Sequence, residues 1–176
     1  MIFTETKLPG AFLLDIKKIE DDRGFFGRAF CVDEFEAHGL NPRVAQCNLS
    51  LSKEKHTLRG FHYQVEGAEE AKTIRCIEGS ILDVIIDLRK DSATYGKHFS
   101  VELSANNYRS LYVPEGFAHA YLTLEENTKV YYHVSQLYTP GKERGIRWND
   151  PYFNINWPTD NPVLSDKDQQ HPDFQP

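Results

Sequence analysis

No apolar run in the 176 residues is long enough to span a bilayer, so no membrane partner is expected. The start, MIFTETKLPG, lacks the basic opening and apolar stretch of a secretory signal, which points to a cytoplasmic protein. Cysteine is scarce. Cys31, Cys47 and Cys76 are an odd number without C-x-x-C spacing, which argues against a disulfide framework or a thiolate zinc site and leaves buried thiols as the expectation. Positive charge is also short, with 20 Lys and Arg against 26 Asp and Glu and a formal charge of -6. A general nucleic-acid binder needs a basic surface, so no nucleic-acid partner is expected, and an anionic ligand must find a local cluster of Arg and Lys. Linkers of low complexity, internal repeats and composition shifts are missing too. Residues 1–176 therefore read as one domain, with 40% hydrophobic and 12% aromatic residues to build a sizeable core.

Helix signals are few. DEFEAHG is the one persuasive segment, with Asp33 as N-cap, Phe35 as apolar anchor and Gly39 as the stop. From residue 72 the chain alternates strands and turns: KTIRCIE, a Gly79-Ser80 turn, ILDVIIDLR, HFSVELS, a turn at Ala105 to Asn107, RSLYV, a PEG turn, HAYLTL, a turn at Glu125 to Asn127, and KVYYHVS. Many short strands between turns predict an all-β sandwich or jelly-roll barrel. The tail from Trp148 to Pro176, rich in Pro, Asp and Asn, is expected to lie as a coil over the barrel, pinned by Trp157 and Phe174. Within it SDKDQQHPD, taken alone, reads as a solvated charged loop.

Two motifs carry chemistry. RGFHYQ, residues 59–64, reads as a strand in which alternation sends His62 to the face opposite Phe61 and Tyr63. Such a histidine is either simply solvated or an acid-base group with a distant partner. PEGFAH, residues 114–119, has the P-x-G-x-x-H pattern of the second cupin motif, in which Gly permits a tight turn and His119 points into the barrel. A metal-binding cupin also needs a cluster such as H-x-H in its first motif. Here Gln64 stands two positions after His62, so too few ligands converge and no metal is expected.

RGFF from residue 23, RGFHYQ, KTIRCIEG, DVIIDLRKDSATYG, VELSANN, LYVPEGFAHAY, GIRWNDP and LSDKD, in this order, resemble the dTDP-4-dehydrorhamnose 3,5-epimerase family over nearly the full chain. The resemblance implies a cupin jelly roll, homodimeric, without metal or other cofactor, acting on a nucleotide-diphosphate sugar with a 4-keto-6-deoxy ring. Epimerisation beside a ketone needs a base, an acid on the opposite ring face, and a cation or hydrogen-bond donor at the enolate oxygen. By resemblance His62 is the base, Asp168 orients its ring, Tyr132 returns the proton and Lys72 stabilises the enolate, with His119 as a further donor. Since adjacent residues on a strand face opposite sides, Tyr131 is left for packing. Tyr138 matches the position that stacks on the nucleotide base. Arg23 and Arg59 match substrate contacts, expected at the diphosphate, where a guanidinium offers paired donors. Gln46, Asn48, Glu143 and Lys167 match further contact positions.

Two positions depart from the family pattern. Arg28 stands where the classical epimerases usually carry Glu, near the nucleotide and from the partner subunit. A carboxylate suits the N3-H of thymine or uracil, whereas Arg suits cytosine's acceptors, so a CDP-sugar or an extra phosphate clamp are alternatives at this position. His133 replaces the Lys that commonly follows the catalytic tyrosine and, facing away from Tyr132, reads as structural. Four alternative activities stand beside the 3,5-epimerase: a 3- or 5-mono-epimerase, a keto-isomerase sharing the same base, a non-catalytic nucleotide-sugar binding module, and a metal-dependent cupin oxygenase. The binding module has no need of His62, Lys72, Tyr132 and Asp168 together, and the oxygenase lacks ligands.

Overall fold

A computed structural model describes residues 1–176. Its strands are β1 (Ile2–Glu5), β2 (Phe12–Asp15), β3 (Ile19–Asp21), β4 (Gly24–Phe26), β5 (Gln46–Ser52), β6 (Leu58–Gln64), β7 (Lys72–Glu78), β8 (Ser80–Asp87), β9 (His98–Ser104), β10 (Ser110–Val113), β11 (Phe117–Thr123), β12 (Thr128–Val134) and β13 (Glu143–Gly145), with helices α1 (Val32–Ala37) and α2 (Asp166–Gln169). A six-stranded sheet, β1-β2-β10-β7-β12-β5, faces a five-stranded sheet, β13-β6-β11-β8-β9, and β3 and β4 form a separate hairpin. All named pairings are antiparallel. This is the jelly-roll sandwich of a cupin.

The apolar run of β8 explains the layering. Ile81 and Ile85 point between the sheets, where they join Ile74, Leu103, Leu111 and Val130 in the largest core. Val84 and Ile86 point the other way, onto Phe61, Ala118, Ala120, Ile146 and Phe153. That second core is closed by the tail, with Trp157 and Phe174 packed against it as expected. A strand covered on both faces has no use for polar alternation, so β8 reads as nearly continuous hydrophobicity.

Three local expectations are corrected. Helix α1 starts at Val32 with Cys31 as an N-cap that makes no side-chain bond, so Asp33 lies in the first turn, where its charge suits the helix dipole. Phe35 is buried against Leu14, Leu40 and Tyr112, and Gly39 leaves the helix at a φ of +70°. SDKDQQ is not a solvated loop. Ser165 caps α2 by accepting from the Asp168 amide at 3.1 Å, and Asp168 is buried. Of the thiols only Cys76 is buried, while Cys47 is exposed on edge strand β5.

Candidate active site

The inner faces of the sandwich are apolar at one end and polar at the other, where a cavity of about 710 Å³ opens. From β5 come Gln46 and Asn48, from β7 Lys72, and from β12 Tyr132; facing them are Arg59 and His62 of β6 and His119 of β11. Tyr138, Glu143, Lys167 and Asp168 join them at the mouth. Residues far apart in the chain thus meet in one place. Arg23 and Arg28 do not join them: Arg23 pairs with Asp21 beside the β3-β4 hairpin turn, and Arg28 pairs with Glu34 of α1. A single chain therefore leaves both arginines outside its own cavity.

Gly60 sets up β6. Its φ is +121°, and a Cβ there would fall 2.6 Å from the His119 carbonyl oxygen and Ala120, so only glycine allows β6 and β11 to approach. A register shift follows between His119 and Tyr121, and His62 lies directly across from His119. Phe61 and Tyr63 go to the tail side. His62 consequently enters the cavity.

His62 and Asp168 are bonded through Nε2 and Oδ1 at 2.6 Å. Burial opposes the charge of Asp168, yet the bonds from His62 and Ser165 hold its carboxyl below the usual range. It stays an acceptor, so the ring's Nε2-H donates to it and Nδ1 carries the basic lone pair. His119 makes a second such pair with Asp83, also at 2.6 Å, on a carboxylate that is wholly buried. Asp83 was missed by sequence reasoning, though an acid in the middle of ILDVIIDLR was its signal.

Lys72 is nearly buried and ion-paired at 3.0 Å to Glu70, another cavity residue that sequence reasoning missed. Across from His62, the Tyr132 phenol is pushed up by burial and by the nearby charge of Glu70, against the opposing pull of Arg59, so it keeps its proton beyond the ordinary range. Tyr131 lies on the outer face and is 39% exposed rather than packed. His133 shares that outer face and abuts Phe30 edge to face, consistent with a structural role.

The rim is built from polar pairs. Gln46 accepts from the Tyr138 backbone amide at 2.8 Å, and Lys167 donates to Glu143 at 2.6 Å. The Tyr138 ring stays half exposed, free to stack on a flat partner. Gln64, at the place of a second first-motif histidine, spends its amide on the carbonyls of Ala68 and Leu137 and on Glu70. The region offers a different ligand set instead: His62, Asp168 and His171, whose donor atoms lie within 4.8 Å of one another. Sequence reasoning missed His171, which stands three residues beyond Asp168.

A sequence model of the dTDP-4-dehydrorhamnose 3,5-epimerase family matches residues 5–176. The dTDP-4-dehydrorhamnose 3,5-epimerase of Shigella flexneri is 43% identical over 165 residues, covering 93% of this chain and 91% of that protein. The crystal structure of the Bacillus anthracis dTDP-4-dehydrorhamnose 3,5-epimerase with TDP and PPi bound is 40% identical with a TM-score of 0.94, covering 98% of this chain and 99% of that one. A 3′-monoepimerase from Streptomyces bikiniensis in complex with dTDP-quinovose is 32% identical with a TM-score of 0.87, covering 96% and 85%.

Proposed function

The chain belongs to the dTDP-4-dehydrorhamnose 3,5-epimerase family, and from that premise we propose that it inverts carbons 3 and 5 of a dTDP-linked 4-keto-6-deoxyhexose with His62 as base and Tyr132 as acid. The observation that carries this reading is the 2.6 Å bond between His62 and Asp168 on one wall, with a half-buried Tyr132, whose phenol is held above its usual range, on the opposite sheet. A sugar ring between the walls meets a base on one face and an acid on the other.

In each inversion the Nδ1 lone pair of His62 removes the proton beside the ketone, and the electron pair moves onto the carbonyl oxygen. Asp168 stabilises the resulting imidazolium. Lys72 and the His119-Asp83 pair supply positive charge and a hydrogen bond for the enolate, where a partly dry cavity makes them count for more than in water. Tyr132 then protonates the same carbon from the other side. Tyr138 stacks on the base, and Arg59 with the rim residues Gln46, Asn48, Glu143 and Lys167 holds the nucleotide diphosphate and sugar. The TDP carried by the Bacillus anthracis relative supports dTDP over the CDP alternative.

The proposal includes a homodimer in which Arg23 and Arg28 reach the cavity of the other copy. Supporting it are the uncovered outer face of β5, β7 and β12, with Leu49, Leu51, Ile77 and Tyr131 exposed, and the hairpin residues Ile19 and Phe26, 67% and 72% exposed. It also includes a cytoplasmic location, in keeping with three free thiols. Inversion at one carbon, the activity in the name of the Streptomyces bikiniensis relative, is the second reading. Replacing His62 by Ala is expected to abolish turnover of dTDP-4-keto-6-deoxyglucose while dTDP still binds. Turnover near the wild-type rate would refute the assignment.

A further inference from the structure

His171 is a third imidazole on the cavity wall for which the epimerisation has no use. Its side chain is only 10% exposed, and its Nε2 is buried without a hydrogen-bond partner. That nitrogen lies 3.3 Å from Asp168 Oδ1, the oxygen already bonded to His62 Nε2. The two rings meet edge to face, 5.5 Å apart between centroids. The seat of the His171 ring is fitted to it, since a Cβ on Gly145 would fall 2.2 Å from the ring carbon. Three potential donors, two nitrogens and one carboxylate oxygen, therefore converge, and one of them has no other partner.

We propose that His62 Nε2, Asp168 Oδ1 and His171 Nε2 bind a zinc ion, and that zinc occupancy switches the epimerase off. Zinc takes imidazole nitrogen and carboxylate oxygen at roughly 2.0–2.2 Å, and a tetrahedron of that size separates neighbouring donors by roughly 3.3–3.5 Å. The spacing of 3.3 Å between Asp168 and His171 already fits. The spacing of 2.6 Å between Asp168 and His62 opens when zinc replaces the shared proton, which moves by way of solvent to Nδ1 so that the ring stays neutral. The fourth position stays open to water. These ligands are not the ones a cupin barrel offers through its two motifs, because His119 is held by Asp83 and Gln64 is spent on its neighbours; two of the three come from the tail.

Silencing follows from the tautomer and rests on His62 being the base. A neutral imidazole bound to metal through Nε2 carries its proton on Nδ1, so the lone pair that abstracts the sugar proton is lost. Zinc here would act as an inhibitor and would take no part in turnover.

Zinc binding to the resting, tag-free, metal-stripped protein, read by competition with a chromophoric chelator, tests the site without any need for turnover. The expected result is one zinc per chain, lost in His62→Ala and weakened in His171→Gln by about tenfold or more, since even residues that only support a ligand cost about 10–100-fold. Cys47→Ser, which removes the exposed thiol, should bind zinc as the wild type does. Retained dTDP binding and an unchanged circular dichroism spectrum show that each variant is folded. No zinc bound, or binding undiminished in both histidine variants, overturns the site. Rates measured with added zinc and then with chelator test the switch: reversible loss is expected, with the inhibition curve of His171→Gln displaced by the same factor as its affinity. Full turnover on a zinc-loaded site would overturn the switch, and with it the role of His62, while leaving the site itself standing.

Discussion

At the scale of single residues, Tyr132 and Asp168 separate the proton-transfer account from a mere binding role. Tyr132→Phe removes only an oxygen, and should slow epimerisation by about 10²–10⁴-fold, the usual worth of a positioned general acid. Exchange of the substrate proton with solvent should survive in that variant, because abstraction belongs to His62. Because burial and Glu70 raise the Tyr132 phenol, its proton stays on as pH rises through the ordinary phenol range. The pH-rate profile should therefore show no alkaline loss due to this group until above the usual value near 10. Asp168→Asn leaves the shape but not the charge, and should drop turnover by about 10²-fold or more, as an amide cannot hold the working tautomer or steady the imidazolium.

At the scale of elements, α2 and the end of β8 carry the tests. Ser165→Ala removes the one side-chain cap of α2, a loss of about 0.5–2 kcal/mol locally, and loosens Asp168. The expected signature is a lower kcat with little change in overall stability. Asp87, at the end of β8, is fully buried; burial opposes its charge, but bonds from Arg89, Ser92 and Thr94 hold its pKa down to about 2. Its folded pKa lies below the unfolded value near 3.9, so the unfolded chain takes up the proton first. This stabilisation, on the order of 2 kcal/mol, is complete above about pH 4 and is lost as pH falls toward 2. Acid unfolding followed by circular dichroism should be flattened over that window in Asp87→Asn.

The same elements mark what the sequence could tell. KTIRCIE and HFSVELS coincide with β7 and β9, because turn residues fence each run and β-branched or aromatic residues fill it. Alternation told which face His62 takes, while its role as base came only with the family resemblance. Asp83, Glu70 and His171 went unread: an acid in an apolar run flags Asp83, but its partner His119 is 36 residues away, and although Glu70 and His171 lie close in the chain to Lys72 and Asp168, only folding brings those pairs into one cavity. Short α2 escaped for a related reason. Its polar sequence has no apolar periodicity, and the buried side of Asp168 is defined by His62, 106 residues away. Arg23 and Arg28 illustrate the limit of one chain, as their expected ligand is not beside them.

At the scale of the whole molecule, the outer face of β5 and β12 carries the test of the proposed assembly. Leu49 is 64% exposed, in register with Tyr131 on the neighbouring strand. A Leu49→Arg substitution should leave the sandwich folded and shift sedimentation from dimer to monomer, with a rise in KM as Arg23 and Arg28 of the other copy are withdrawn. Wild-type protein that sediments as a monomer would sink this part of the proposal. Residues 1–176 are proposed to unfold in one cooperative transition, since the tail closes a core formed by β6, β8 and β11.

The central claim is proton abstraction at the two carbons flanking a ketone, and exchange in deuterated water reads it directly. Protein is incubated with dTDP-4-keto-6-deoxyglucose, and the proton resonances of carbons 3 and 5 are followed by NMR. The account predicts that both signals decay, that neither does so with His62→Ala, and that the CDP analogue exchanges more slowly. Loss of one signal alone would make the protein a mono-epimerase, and persistence of both with wild-type protein would contradict the account.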